Sequence, residues 1–290
     1  MILRAATRGS ALALWQTNHV RDQLIAAGVV EDVEIVTVST SGDRDTTTPI
    51  HAMGGKGVFV KEVQAAVLDG RADLAVHSAK DLPALTPDGL VVAAVPPRAD
   101  VRDSLIGASL DSLPAGATVG TGSVRRKVQL QQLRPDLVFE ELRGNIDTRL
   151  GRLDSLDAII MAAAALDRLG RTPDVEDRLT VDQMIPQVGQ GALAIETRAD
   201  APDITAAVAA IEDVGARALL EAERAFLIEL GGDCDLPAGA HADHTDAGVV
   251  VRAMLANDAG DRVEGVRLEG TDGPALGLEA ARHLRNLIGS

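Results

Sequence analysis

"TVGTGSVRRKVQLQQLRPDLVFEEL", residues 118–142, sets two extended apolar runs around a helix-forming stretch. "TVGTG" (118–122) and "LVFEEL" (137–142) predict strands. Ser123 can cap a helix over 124–133, before "RPD" interrupts it. This strand–helix–strand unit implies an α/β architecture with parallel or mixed sheets.

The same alternation continues outward. "VEIVTV" (33–38), "LAVHS" (74–78), "LVVAAV" (90–95), "DAIIM" (157–161) and "ALAIET" (192–197) predict further strands. Ser10 can cap a helix whose buried face includes Ala13, Val20 and Leu24 and which Gly28 stops. Phe59, Val63 and Ala66 share one face of another, ended by Asp69 and Gly70. A single helical stretch over 203–230 then breaks the alternation. After it, "GVVVRAML" and "DRVEGVRLEG", joined by "ANDAGD", and an amphipathic helix over 274–288 predict a small α+β domain. Proline-rich "VPPRADVRD" (95–103) and "IPQVGQG" (185–191) are the crossover points. Two crossovers describe a chain that leaves a first domain, builds a second and returns.

The 290 residues exceed what one core usually organises. Apolar residues make up 46%, but aromatics only 1%: Trp15, Phe59, Phe139 and Phe226. The cores must therefore be aliphatic, and a stacking platform for single-stranded nucleic acid is excluded. A formal charge of -15 opposes any general grip on phosphate backbones. The opening "MILRAATRGSALALWQ" lacks the apolar centre of a signal peptide. The longest apolar run, 158–166, is too short to span a bilayer. The expectation is a soluble, cytoplasmic protein with neither a nucleic-acid nor a membrane partner.

Within this acidic chain, cations gather between 121 and 152: Arg125, Arg126, Lys127, Arg134, Arg143, Arg149 and Arg152, against four acids. Arginine's planar fork holds a carboxylate through two parallel hydrogen bonds. Arg125 and Arg126 follow a strand–"GTGS"–helix junction, where backbone N–H groups also favour anions. Arg143 follows the next strand in "RGN". Each arginine alone reads equally well as a solvated partner of a nearby acid. Two clusters at strand ends point to a cleft for a polyanion.

"HSAKDLP" (77–83) places Lys80 and Asp81 just past a strand. A carboxylate beside a lysine stays ionised and can stabilise a cation or relay a proton; an ordinary turn before Pro83 is the simpler alternative. His77 alternates with its strand neighbours and reads as structural. "GGKGVFVKE" (54–62) reads as a glycine-hinged cationic loop. No metal-ligand pattern occurs. Cys234, the only cysteine, excludes an internal disulfide and fits a reducing compartment. It lies in "ELGGDCDLPAGAHA" (229–242), a turn-forming stretch without core residues. An accessible thiol follows, although Asp233 and Asp235 oppose thiolate formation. That combination suits a one-time covalent attachment more than rapid nucleophilic cycling.

In order and spacing, "RAATRGSALALWQ", "GGKGVFVKE", "ADLAVHSAKDLP", "GTGSVRRKVQL", "LRGNIDTRL", "VGQGALAIE" and the cysteine loop resemble the porphobilinogen deaminase (hydroxymethylbilane synthase) family over nearly the whole chain. The resemblance implies two domains like the lobes of type II periplasmic binding proteins, with mixed sheets: residues 1–96 with 192–212, and residues 97–191. A third, small α+β domain, 213–290, would carry the cofactor cysteine. The implied reaction, in heme-type tetrapyrrole biosynthesis, joins four porphobilinogen molecules into linear hydroxymethylbilane and releases ammonia. It would run on a dipyrromethane primer held by Cys234 through a thioether.

Asp81 matches the family's catalytic aspartate, with Lys80 beside it. Arg8 and Ser10 match first-domain contacts to primer and substrate. Thr121, Ser123, Arg125, Arg126, Arg143, Arg149 and Arg168 match second-domain contacts to the acidic side chains. Lys56 and Phe59 lie on the matched mobile loop, and Gln16 and Gln190 lie near the hinge. The implied partners are porphobilinogen and the growing oligopyrrole chain, bound by a monomer without metal. One departure is Asp233, where the family usually has glycine before its cysteine. A binding or sensor protein of the same fold is the rival reading; Asp81 together with Cys234 favours an enzyme, since simple binding needs neither.

Overall fold

Residues 1–40, 60–232 and 236–289 are described in a computed structural model. They form two compact units, one built from Met1–Ala99 and Ala192–Leu220, the other from Asp100–Gly191, Glu221–Gly231 and the residues from 236 onward.

The first unit is a five-stranded sheet in the order β2-β1-β3-β10-β4. Strand β1 (Ile2–Arg8) runs parallel to β2 (Asp32–Val38) and β3 (Leu74–Ser78). Strand β10 (Leu193–Arg198) runs antiparallel to both β3 and β4 (Leu90–Ala94). Helix α1 (Ala11–Ala26) and α6 (Pro202–Val208) cover one face, where Val20, Leu24, Leu74, Val76, Ile195 and Val208 pack together. Helix α2 (Lys61–Leu68) covers the other through Val63, Ala66 and Val67, against Ala6 and Ala75. Because β3 is covered on both faces, it is apolar at successive positions. Ser10 caps α1 by accepting from Ala13 N–H, and Gly28 takes the positive φ that ends the turn after it.

The second unit repeats this design in the order β7-β6-β8-β5-β9. Strand β6 (Thr118–Gly120) is parallel to β7 (Val138–Glu140) and β8 (Ala158–Ala162). Strand β5 (Asp103–Ile106) is antiparallel to β8 and to β9 (Glu176–Arg178). In each sheet the antiparallel strand is the one that follows a proline-rich crossover. Helices α3 (Val124–Leu133), α4 (Ile146–Leu150) and α5 (Ala163–Leu169) belong to this unit. A second, antiparallel sheet has the order β11-β12-β13, from Ala238–Thr245, Gly248–Ala256 and Val263–Gly270. Helix α8 (Gly273–Ile288) packs on β12 and β13. The expected α/β chain with mixed sheets and a small C-terminal α+β portion is what forms.

One sequence expectation needs correction. The single helix over 203–230 is instead α6, a 3-10 turn at Ala209–Ile211, and α7 (Val214–Glu229). Asp213 causes the break: its carboxylate accepts from Ala216 N–H and starts a new helix, while Glu212 accepts from Val95 N–H at 2.6 Å. The strand expected over 157–161 forms as β8, and the rest of the apolar run opens α5. Strands β1, β5, β9 and β11 carry few of the β-branched and aromatic residues usual in strands, so propensity did not announce them.

Candidate active site

In the first unit, the carboxyl ends of β1 and β3 and the amino end of α1 line an open cleft. Parallel strands end here, the usual place for ligands in such sheets. Arg8, the last residue of β1, lines it together with Ser10, Gln16, His77, Ser78 and Asp81. Asp81 sits on a 3-10 turn, Ala79–Asp81, directly after β3. That turn is pinned by Ala79 N–H donating to Ala192 C=O at 3.0 Å and by the buried Leu82. Gln16 donates to Ser78 Oγ at 2.8 Å, so the helix and the strand end are joined across the cleft wall. Lys80 is half-buried on the same turn.

In the second unit, Arg125 and Arg126 are buried. The solvated-surface alternative does not hold for them. Both converge on Asp103 at the start of β5: Arg125 Nη2 lies 2.8 Å from Oδ2 and Arg126 Nη2 2.8 Å from Oδ1. Burial alone would push the Asp103 carboxyl up; the two guanidiniums and Gln190 overcome it and hold it down to about 2. Gln190, fully buried, donates to Asp103 and to Val101 C=O. Arg125 also donates to Ile185 C=O. Two guanidiniums against one carboxylate leave this cluster with an excess positive charge. Arg125 Nε has no hydrogen-bond partner among the described residues.

Ser123 caps α3 by accepting from Arg126 N–H, and buried Thr121 accepts from Ser123 N–H. Arg149 is half-buried and donates to Gly144 C=O, with Asn145 capping α4. Gly144 has φ +107, and a Cβ there would lie 2.7 Å from Thr148, which is why "RGN" needs glycine. Arg143 is half-buried. Arg168 donates to Gly191 C=O; burial pushes its guanidinium down to about 10 despite Asp167. The local-partner alternative does describe Arg134 and Arg152, which pair with Asp136 and Glu140.

The structure thus brings Arg8, Ser10, Gln16 and Asp81 to one cleft, and Arg125, Arg126 and Gln190 around one carboxylate. Lys56, Phe59 and Cys234 lie outside the described residues. Asp103, Ser78 and Glu196 were not singled out from sequence. For Asp103 the available signal was an acid closing the first crossover.

A carboxylate at strand ends, with an arginine, a hydroxyl and an amide lining the same cleft, suits an α/β protein that binds a charged small molecule. Residues 3–206 match the family profile "Porphobilinogen deaminase, dipyromethane cofactor binding domain", and residues 218–286 match "Porphobilinogen deaminase, C-terminal domain". The chain is 45% identical over 287 residues to the porphobilinogen deaminase of Acidithiobacillus ferrooxidans, covering 97% of this chain and 94% of that one. It is 46% identical over 258 residues to that of Syntrophus aciditrophicus, covering 87% and 84%. Among solved structures, it is similar to an amino acid transporter substrate-binding protein from Streptococcus pneumoniae, at 16% identity and a TM-score of 0.40, covering 72% of this chain and 86% of that one.

The chain belongs to the porphobilinogen deaminase family. It is a transferase of tetrapyrrole synthesis that joins porphobilinogen units into linear hydroxymethylbilane, releasing ammonia, with dipyrromethane as cofactor. No helix among the described residues is long and apolar enough to cross a membrane.

Proposed function

We propose that Asp81 is the catalytic carboxylate of this reaction and that Cys234 is the attachment point of dipyrromethane through a thioether. The observation that carries the first assignment is the position of Asp81 in the cleft with Arg8, Ser10 and Gln16. Loss of ammonia from an aminomethylpyrrole leaves positive charge on the ring, and a fixed carboxylate nearby lowers the barrier by meeting that charge as it develops. Arg8 holds a substrate carboxylate, Ser10 and Gln16 orient it, and Lys80 stands on the same turn as Asp81.

The buried cluster of the second unit suits the cofactor's chemistry. Excess positive charge and an unfilled Arg125 Nε call for an additional anion. Dipyrromethane bears acetate and propionate groups, and when bound it supplies the free pyrrole carbon at which chain growth begins. Arg125 and Arg126, with Thr121, Ser123, Arg143, Arg149, Arg168 and Gln190, would hold such carboxylates. The division into 1–96 with 192–212, 97–191 and 213–290 remains our domain assignment, supported by the separate profile matched at 218–286. The enzyme acts as a cytoplasmic monomer, without nucleic acid.

Purified Asp81→Asn tests the central assignment. With its cofactor still attached by mass, it should turn over porphobilinogen about 100-fold or more slowly than wild type. Near-normal turnover would reject Asp81.

A further inference from the structure

His77 lines the same cleft as Asp81. Its side chain is 4% exposed, and Nε2 lies 3.1 Å from Oε2 of Glu196, which is 1% exposed. The contact follows from strand register. In the antiparallel pairing of β3 with β10, His77 faces Ala194 and Ala75 faces Glu196, so residues 77 and 196 are diagonal neighbours on one face. From the helix covering that face, Gln64 Nε2 donates to the same Glu196 oxygen at 2.8 Å. Glu196 Oε1 and His77 Nε2 have no aligned hydrogen-bond partner among the described residues.

A carboxylate sealed from water with a single neutral amide donor is costly. Packing alone would be served by valine or threonine at 77. An imidazole held against a buried carboxylate is the arrangement of carboxylate-oriented histidine bases. The other charged groups lining the cleft are Arg8 from β1 and Asp81 from the turn. From α1 come the uncharged Ser10 and Gln16; α2 presents Gln64 and carries Lys61 and Glu62 in its first turn.

We propose that His77, held by Glu196, receives the proton that each condensation releases; this rests on reading the Asp81 cleft as the site of reaction. The aminomethyl group enters as its ammonium. Its C–N bond breaks, ammonia departs with the bonding pair, and the positive charge stays on the pyrrole. A pyrrole α-carbon forms the new C–C bond and then loses its proton to the neutral imidazole of His77. The imidazolium stands against the Glu196 carboxylate until the proton leaves on ammonia, as ammonium. This division of labour leaves Asp81 out of the proton transfer, so the carboxylate that balances the cation is never the group that must be deprotonated again.

The test compares His77→Gln, Glu196→Gln and Asp81→Asn as holoenzymes, with cofactor content checked by intact mass. His77→Gln should lower kcat roughly 100-fold and Glu196→Gln roughly 10-fold, with KM within about twofold of wild type. In both, the solvent deuterium isotope effect on kcat should rise, and His77→Gln should lose the acid limb of the pH–rate profile. Independently of turnover, protein carrying 15N-histidine should show an exchange-protected imidazole N–H resonance that is absent in His77→Gln and displaced in Glu196→Gln. Glu196→Gln is isosteric and decides the matter should His77→Gln not fold. Wild-type kcat in Glu196→Gln, or losses of melting temperature and KM with an unchanged isotope effect, would overturn the proposal while a collapsed Asp81→Asn left the site itself standing. Near-normal turnover in Asp81→Asn would overturn the underlying reading instead.

Discussion

Asp103 Oδ2 and Arg125 Nη2 lie 2.8 Å apart, with side-chain exposures of 0% and 3%. The Asp103 carboxyl is held down to about 2 from an ordinary 3.8, against a burial penalty that opposes it. A group depressed in the folded state contributes stability above its unfolded pKa and loses it as pH falls toward the folded value. The contribution, on the order of 2 kcal/mol, should therefore be complete above about pH 4 and disappear toward pH 2. Asp100 is also held down to about 2, by Arg102 and Arg178 against burial, so wild-type unfolding alone does not apportion the loss. Urea unfolding of wild type and Asp103→Asn should differ by about 3 kcal/mol at pH 6, and the gap should narrow below pH 4. A pH-independent gap would contradict the ion pair.

Glu223 makes a comparable link on α7. Fully buried, it accepts from Gly189 N–H at 2.8 Å and Ala242 N–H at 3.0 Å, and His241 Nδ1 lies 3.2 Å away. Glu223→Gln turns an amide N–H toward one of these donors and should cost about 1–3 kcal/mol. Glu223→Ala strands all three and should cost more. Hydrogen exchange at the Gly189 and Ala242 amides should accelerate in both. Unchanged exchange there would show that the carboxylate does not hold this segment.

At Gly277, α8 comes into close contact with the backbone of α7. A Cβ at this position would lie 2.1 Å from Ala222 O and 3.0 Å from Phe226 N, which no rotamer change relieves. Gly277→Ala should lower stability by about 1–3 kcal/mol through displacement of the two helices. Gly151, where an added Cβ meets nothing within 4 Å, is the control; Gly151→Ala should be neutral or slightly stabilising. Equal melting temperatures for the two variants would contradict the packing described.

Local features were legible in the sequence and non-local ones were not. Ser10 and Ser123 cap the helices expected of them, and "LAVHS" is β3 from its first residue to its last, because caps and apolar runs act over a few residues. The six residues before Arg8 gave little sign of a strand: Arg4 sits on it only because Asp73 takes both its Nε and Nη2. Strand β9, "EDR", has no apolar residue at all. The arginines near "GTGS" were readable as anion binders, yet their resident anion, Asp103, lies on a strand whose place between β8 and β9 no local pattern reveals. His77 looked structural for the same reason: its carboxylate is brought to it by the pairing of β3 with β10, more than a hundred residues on.

Every role proposed for the basic cluster presupposes a carboxylated cofactor carried by the chain itself. Intact-mass measurement of the protein, purified from a host that makes porphobilinogen, tests this most directly. The mass should exceed that of the sequence by one dipyrromethane, the increment should map to the peptide containing Cys234, and Cys234→Ser should lack both increment and product. A folded wild-type protein that makes hydroxymethylbilane with Cys234 unmodified, or with the increment on another peptide, would contradict the account.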